Sequence, residues 1–107
     1  MANFGGMGNI FKQAQEMQAK LARAQEELGR RTVEASSGGG MVRVTVTGQL
    51  ALSSIKIDPS VVNPQEMEML EDLVLAATNE GLRLAREMAA EEMGKITGGM
   101  KIPGLTP

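Results

Sequence analysis

The side chains best placed to do chemistry in this sequence are cations near its beginning. Lys12, Lys20, Arg23, Arg30 and Arg31 fall within an arc of about 100° if they share one helix turning 100° per residue. Cations gathered on one helix face can contact a row of anionic groups such as phosphates. Glu16 and Glu27 lie inside the same arc and Glu26 lies beside it. Glu16–Lys20, Glu26–Arg30 and Glu27–Arg31 are i,i+4 pairs in the favourable orientation, so the stripe also reads as a solvated, salt-bridged face. An excess of positive charge remains, five against three through Arg31. The second half of the chain has the opposite sign. Glu66, Glu68, Glu71, Asp72, Glu80, Glu87, Glu91 and Glu92 face only Arg83, Arg86 and Lys95, so any anion contact there is expected at Lys95 and at Lys101 in the tail.

Other chemistries lack their parts. There is no histidine, cysteine, tyrosine or tryptophan, and Asp58 and Asp72 are the only aspartates. The commonest general base and the commonest metal ligands are therefore missing, and no enzyme activity, metal or cofactor is expected. Gly38-Gly39-Gly40 lacks the Lys-Ser/Thr of a phosphate cradle and does not open a helix, so it reads as a turn. No aromatic falls on a strand to stack bases. The formal net charge is −2, whereas a strongly basic balance would have pointed to nucleic acid by itself. The start Met1–Gly6 lacks the basic segment and long apolar run of a signal peptide, and no stretch is apolar enough to span a bilayer. The reading is cytoplasmic, with no membrane partner.

The elements that must position the cations follow from periodicity. Met7, Ile10, Ala14, Met17, Leu21, Ala24 and Leu28 are spaced 3, 4, 3, 4, 3, 4, which predicts a first helix with a narrow heptad seam. Arg31–Ser36 reads as a short strand, then the glycine turn, then a strand over Met41–Thr47 with Val42, Val44 and Val46 on one face. A turn at Thr47-Gly48-Gln49 leads to a third strand over Leu50–Ile57. Its apolar parity slips, predicting a bulge near Ser53-Ser54. Asn63-Pro64-Gln65-Glu66 predicts a helix start with Asn63 as cap and Glu66 reaching back to it, and the helix runs to about Ile96. The fold class is α+β: one domain over residues 1–107, α-β-β-β-α, with a three-stranded antiparallel meander and flexible ends at 1–6 and 98–107.

The last helix is too long for so small a sheet, so its far half should project and pair with the first helix as an antiparallel arm. Met17, Leu21, Leu28, Val42, Val44, Val46, Leu84 and Met88 are the expected packing residues of the arm or of a dimer. With 107 residues and nine methionines, the core should be modest and adaptable, and a second subunit should help to complete it.

Several segments, taken together and in order, resemble the YbaB/EbfC nucleoid-associated family. They are Gly38-Gly39-Gly40 with Val42–Gly48, Ile55-Lys56-Ile57-Asp58-Pro59, Met69–Ala77 followed by Asn79-Glu80, and Thr97-Gly98-Gly99-Met100 with Pro103-Gly104. The resemblance implies a tweezer-like homodimer with a central body and protruding helical arms. It also implies nucleoid-associated binding of duplex DNA with low sequence specificity, serving chromosome organisation, gene regulation or DNA repair beside recombination or replication proteins. It favours the arms, hence Lys20, Arg23, Arg30 and Arg31, as the DNA contacts. The alternative is a protein-interaction module whose methionine-rich seams hold a partner's helix.

Overall fold

The computed structural model describes the backbone of residues 2–98 and the side chains of residues 7–98. Helix α1 spans Ala2–Leu28, strand β1 Thr32–Ser37, β2 Val42–Thr47, β3 Leu52–Ile57, and helix α2 Met67–Ile96. The sheet is an antiparallel meander in the order β1-β2-β3. The molecule is elongated, about 78 Å by 22 Å by 17 Å, because α1 projects from the sheet as a rod that α2 contacts only along its inner part.

The core forms where α2 crosses the sheet. Val42, Val44 and Val46 alternate onto the inner face of β2 and are fully buried, and Ala35 of β1 is buried beside them. Facing them, α2 presents Ala77, Gly81 and Ala85 at four-residue spacing. Small residues at that spacing let the helix axis drop close to the sheet. A Cβ on Gly81 would stand 2.8 Å from a methyl of Val46 and 3.0 Å from one of Val44. The three valines are thus core residues beneath the chain's own α2, rather than arm residues.

Turn chemistry departs from expectation in detail. Gly38, Gly39 and Gly40 all adopt positive φ (61°, 69° and 93°), a left-handed turn that L side chains rarely enter. β3 begins at Leu52, two residues later than its apolar pattern suggested, because Gly48-Gln49-Leu50 forms a three-residue hairpin loop with Leu50 at φ 64°. The register slips by one residue between Thr45–Ser54 and Val46–Leu52, leaving Ser53 as the bulge. Asn63 caps through its side chain, which accepts from the Gln65 N–H at 3.0 Å. Glu66 closes no capping box: Pro64–Glu66 forms a short 3-10 turn, and α2 starts only at Met67.

The two helices share their seam over a short length. Leu21, Ala24 and Leu28 of α1 meet Met88, Ala89, Met93 and Ile96 of α2. Leu84 stays half-buried against the sheet core, while Met88 joins this second cluster. The expected arm of two long paired helices is corrected here. Most of α2 is used over the sheet, so its projecting part ends at Ile96, near Leu21, and the outer half of α1 extends beyond it. Met17 is therefore 39% exposed, against 1% for Leu28 on the same seam.

Candidate nucleic-acid interface

The arm is aimed by the hairpin at its base. The N–H of Gly48 donates to the carbonyls of both Leu28 (2.9 Å) and Arg31 (3.0 Å). The side-chain amide of Gln49 donates to the carbonyl of Gln25 at 2.7 Å. The last turn of a helix leaves its carbonyls without intrahelical partners, and here the β2–β3 turn supplies donors to them. Gly48 must be glycine for this contact, since a Cβ there would lie 2.7 Å from the Leu28 oxygen. The cations on α1 are thus carried on a rod fixed to the sheet at one end.

The expected contact residues divide into three groups. Lys12, Lys20 and Arg23 stand exposed on one side of α1, and none of them forms an ion pair among the described residues. Lys12 and Lys20 are eight residues apart, about 12 Å along a helix, and Arg23 lies one turn further in. Arg30 and Arg31 lie past the last helical residue, so the helical wheel does not apply to them. Arg30 pairs with Glu26 at 3.2 Å on an exposed surface. Arg31 does not pair with Glu27 as its spacing suggested. It crosses to Glu92 of α2 at 2.5 Å, and Lys95 reaches the same carboxylate at 3.2 Å. Glu92 is held below the usual carboxylate value by the Lys95 hydrogen bond first and the Arg31 hydrogen bond second. Lys101 lies outside the described residues.

Two cations escaped the sequence reading. Arg43 and Lys56 are direct cross-strand neighbours on the sheet face that α2 leaves uncovered, and the guanidinium Nε donates to the Gly40 carbonyl at 3.3 Å. Strand parity placed Arg43 on the outward face, but only the register shows Lys56 beside it. On α2 acids outnumber bases, and Arg83 is held between two of them. Arg83 bonds Glu80 (2.6 Å) and Glu87 (2.7 Å), which lowers the Glu80 carboxyl and raises the guanidinium from their ordinary values. No group of three potential metal-ligating side chains converges among the described residues, and no helix there is long and apolar enough to cross a membrane.

Known proteins give this arrangement of a cationic rod on a small helix-covered sheet its family. Residues 3–100 match the model of the YbaB/EbfC DNA-binding family. A nucleoid-associated protein of Syntrophobacter fumaroxidans is 57% identical over 91% of this chain and 88% of its own length. The chain belongs to the YbaB/EbfC DNA-binding family. A second relative, the nucleoid-associated protein of Moorella thermoacetica, is 57% identical over 92% of this chain and 98% of its own length. The crystal structure of uncharacterized protein HP0035 from Helicobacter pylori has the same fold. Its TM-score is 0.75 at 22% identity, with 83% of this chain and 94% of that one covered.

Proposed function

We propose that this chain binds duplex DNA in the cytoplasmic nucleoid as a homodimer with low sequence specificity, contacting phosphates through the arms. The observation that carries the reading is the separation of charge. Although the net charge is −2, the cations without ion-pair partners among the described residues include three on one side of the projecting helix, while the acidic excess lies on α2, where Glu68, Glu71, Asp72, Glu80, Glu87, Glu91 and Glu92 outnumber Arg83, Arg86 and Lys95. Backbone contact through Lys12, Lys20 and Arg23 positions a duplex without reading base edges, which accounts for weak sequence selectivity. We assign Arg31 and Lys95 to bracing the arm, because both are held by Glu92.

Dimerisation rests on the half of the sheet that α2 leaves open. One helix is about 10 Å across and covers two strands spaced about 4.8 Å apart. α2 lies over β1 and β2, so Leu52, Ile55 and Ile57 of β3 point to the inner side yet remain exposed. Beside them is an apolar groove of about 440 Å³ lined by Ile57, Met67, Leu70, Val74 and Leu75, with Glu71 and Thr78 at its polar part. A partner's helix fits that space, and burying the patch supplies apolar area that the single chain lacks.

The test is a titration of purified protein with duplex DNA at about 50 and 200 mM salt, with sedimentation run in parallel. Three phosphate contacts per arm give about six per dimer, which predicts roughly a thousand-fold loss of affinity between the two conditions. The triple variant Lys12→Glu/Lys20→Glu/Arg23→Glu should lose binding at both and remain dimeric. Undiminished binding by that variant would overturn the site. Absence of wild-type binding at low salt would overturn the function.

A further inference from the structure

Among the described residues, nothing packs on the seam of the outer half of α1. Met7, Ile10, Ala14 and Met17 continue the heptad positions of Leu21, Ala24 and Leu28, but α2 ends before reaching them, and Met7 and Ile10 are 56% and 66% exposed. We propose that this outer seam is a self-association surface, on which a second copy's α1 packs antiparallel, tip over tip. The contact is separate from the sheet-and-helix face assigned to the dimer above.

Four observations support the second copy as occupant. First, the spacing is palindromic. The steps 3, 4, 3 read the same in both directions about residue 12, so antiparallel helices place Met7 opposite the second copy's Met17 and Ile10 opposite its Ala14. At the centre of the contact a large side chain then meets a small one, which is how facing layers interdigitate. Parallel pairing would set Ala14 against Ala14 and leave a gap. Secondly, such a contact is isologous and closes on itself by a two-fold axis.

Thirdly, the flanks raise no charge barrier. The edges of this stretch of seam are Phe11 on one side and Gln13 on the other, with Gln18 next, while Lys12 and Glu16 point away from it. Antiparallel packing brings Phe11 against Phe11 and Gln13 against Gln13 across the axis. Fourthly, the new helix extends an existing contact. α1 runs toward the sheet and α2 runs away from it, so α2 already lies antiparallel on the inner seam. The second copy's Met7 would lie opposite Met17, one turn outward from the Leu21–Ile96 contact, with its first turn passing beside the end of α2, so that its seam carries the same packing outward. The cationic face stays open, so arms joined in this way could still contact DNA.

Because the chain has no cysteine, single cysteines report proximity in the full-length protein without DNA. Met7→Cys and Met17→Cys are purified separately, mixed and oxidised. The mixed disulfide is expected to exceed either homodisulfide several-fold. Gln13→Cys should join to itself through a short bismaleimide, while Glu91→Cys on α2 serves as the background. Dominant Met7→Cys or Ile10→Cys homodisulfides would mean parallel arms and overturn the proposal. So would crosslinking no higher than the Glu91→Cys background. In sedimentation, Ile10→Glu should remove species larger than the body dimer, with unchanged helical circular dichroism. An unaltered mass distribution would count against the seam. Raised salt should leave the wild-type assembly intact, unlike phosphate binding, so the two proposals fail independently.

Discussion

The sheet body and the arm use the same kinds of residue to opposite ends. In the body, Val42, Val44 and Val46 lie under Ala77, Gly81 and Ala85, and close approach excludes water from every contact. In the arm, the equally apolar Met7, Ile10 and Met17 stand exposed, and contact among the described residues is limited to the base. An isolated helix is marginal in water unless a packed face supports it. The body therefore supplies the stability that lets the arm be held out at all, and the arm supplies an exposed surface far from the sheet. The sheet face under α2 has nothing left to offer a partner, whereas the rod anchored at one end presents, among the described residues, one cationic and one apolar face.

The sharpest way to break this division is at the crossing point. Gly81→Val would push a branched side chain into methyl groups already 2.8 and 3.0 Å from where a Cβ would stand. Overpacking of that kind costs about 1–3 kcal/mol and sometimes more, and here it would lift α2 off the sheet. Denaturant unfolding should show the largest loss of any single substitution considered. Near-wild-type stability would mean that the close approach is not what holds the body together.

At the junction, Gly48→Ala should cost less than the core substitution. The added methyl would meet the Leu28 carbonyl at 2.7 Å, so the hairpin must retreat and two hydrogen bonds to the arm's end lengthen. A typical net value of about 0.5–1.5 kcal/mol per hydrogen bond sets the scale. Amide exchange should quicken through the last turn of α1 and remain slow in β2. Uniform acceleration across both would show that the arm and the body unfold together and are not separable parts.

These two glycines also mark what the sequence made legible. Period and parity located both helices, all three strands and the Ser53 bulge, because a buried face leaves a repeating trace in a single chain. Gly48 read as a turn residue, and nothing local said that its N–H would serve the end of a helix far back in the chain, at Leu28. The same limit governs the charges. Glu27–Arg31 looked paired by spacing, yet α1 ends at Leu28 and the nearer acid is Glu92, across the tertiary fold. The cationic face was visible as composition. Which of its members stayed without a carboxylate depended on where α2 came to rest. The seam was visible along its whole length, but not that α2 would cover only the inner part of it.

On the exposed side of the comparison, single cations should act in small and equal steps. Replacing Lys20 by Ala leaves one phosphate per arm without its cation. The slope of log affinity against log salt should fall by about 0.9 for each phosphate no longer neutralised. It should leave unfolding unchanged, since Lys20 forms no ion pair among the described residues. The same substitution at Arg30, which shares its charge with Glu26, should change the slope less. Equal effects would mean that the Glu26 pair is released when DNA binds.

The smallest effect belongs to the brace that joins the two regions. Glu92 accepts from Lys95 and from Arg31, which keeps its carboxyl below the ordinary value of 4.5. A carboxyl lowered in the folded state stabilises only while it is ionised. That contribution is present above the unfolded value and disappears as pH falls through the lowered folded value. The brace should therefore be intact at neutral pH and lost in acid. Glu92→Gln, which cannot ionise, should speed amide exchange over Met93–Ile96 at pH 7 and match the wild type once both are taken well below pH 4.5. High salt should narrow the difference at pH 7, because Arg31 and Glu92 are partly exposed and screened. If Glu92→Gln and the wild type exchange alike at the end of α2 at every pH and salt, the apolar contacts of Met88 and Met93 with Leu28 hold the arm's base alone, and the ion pairs only decorate it.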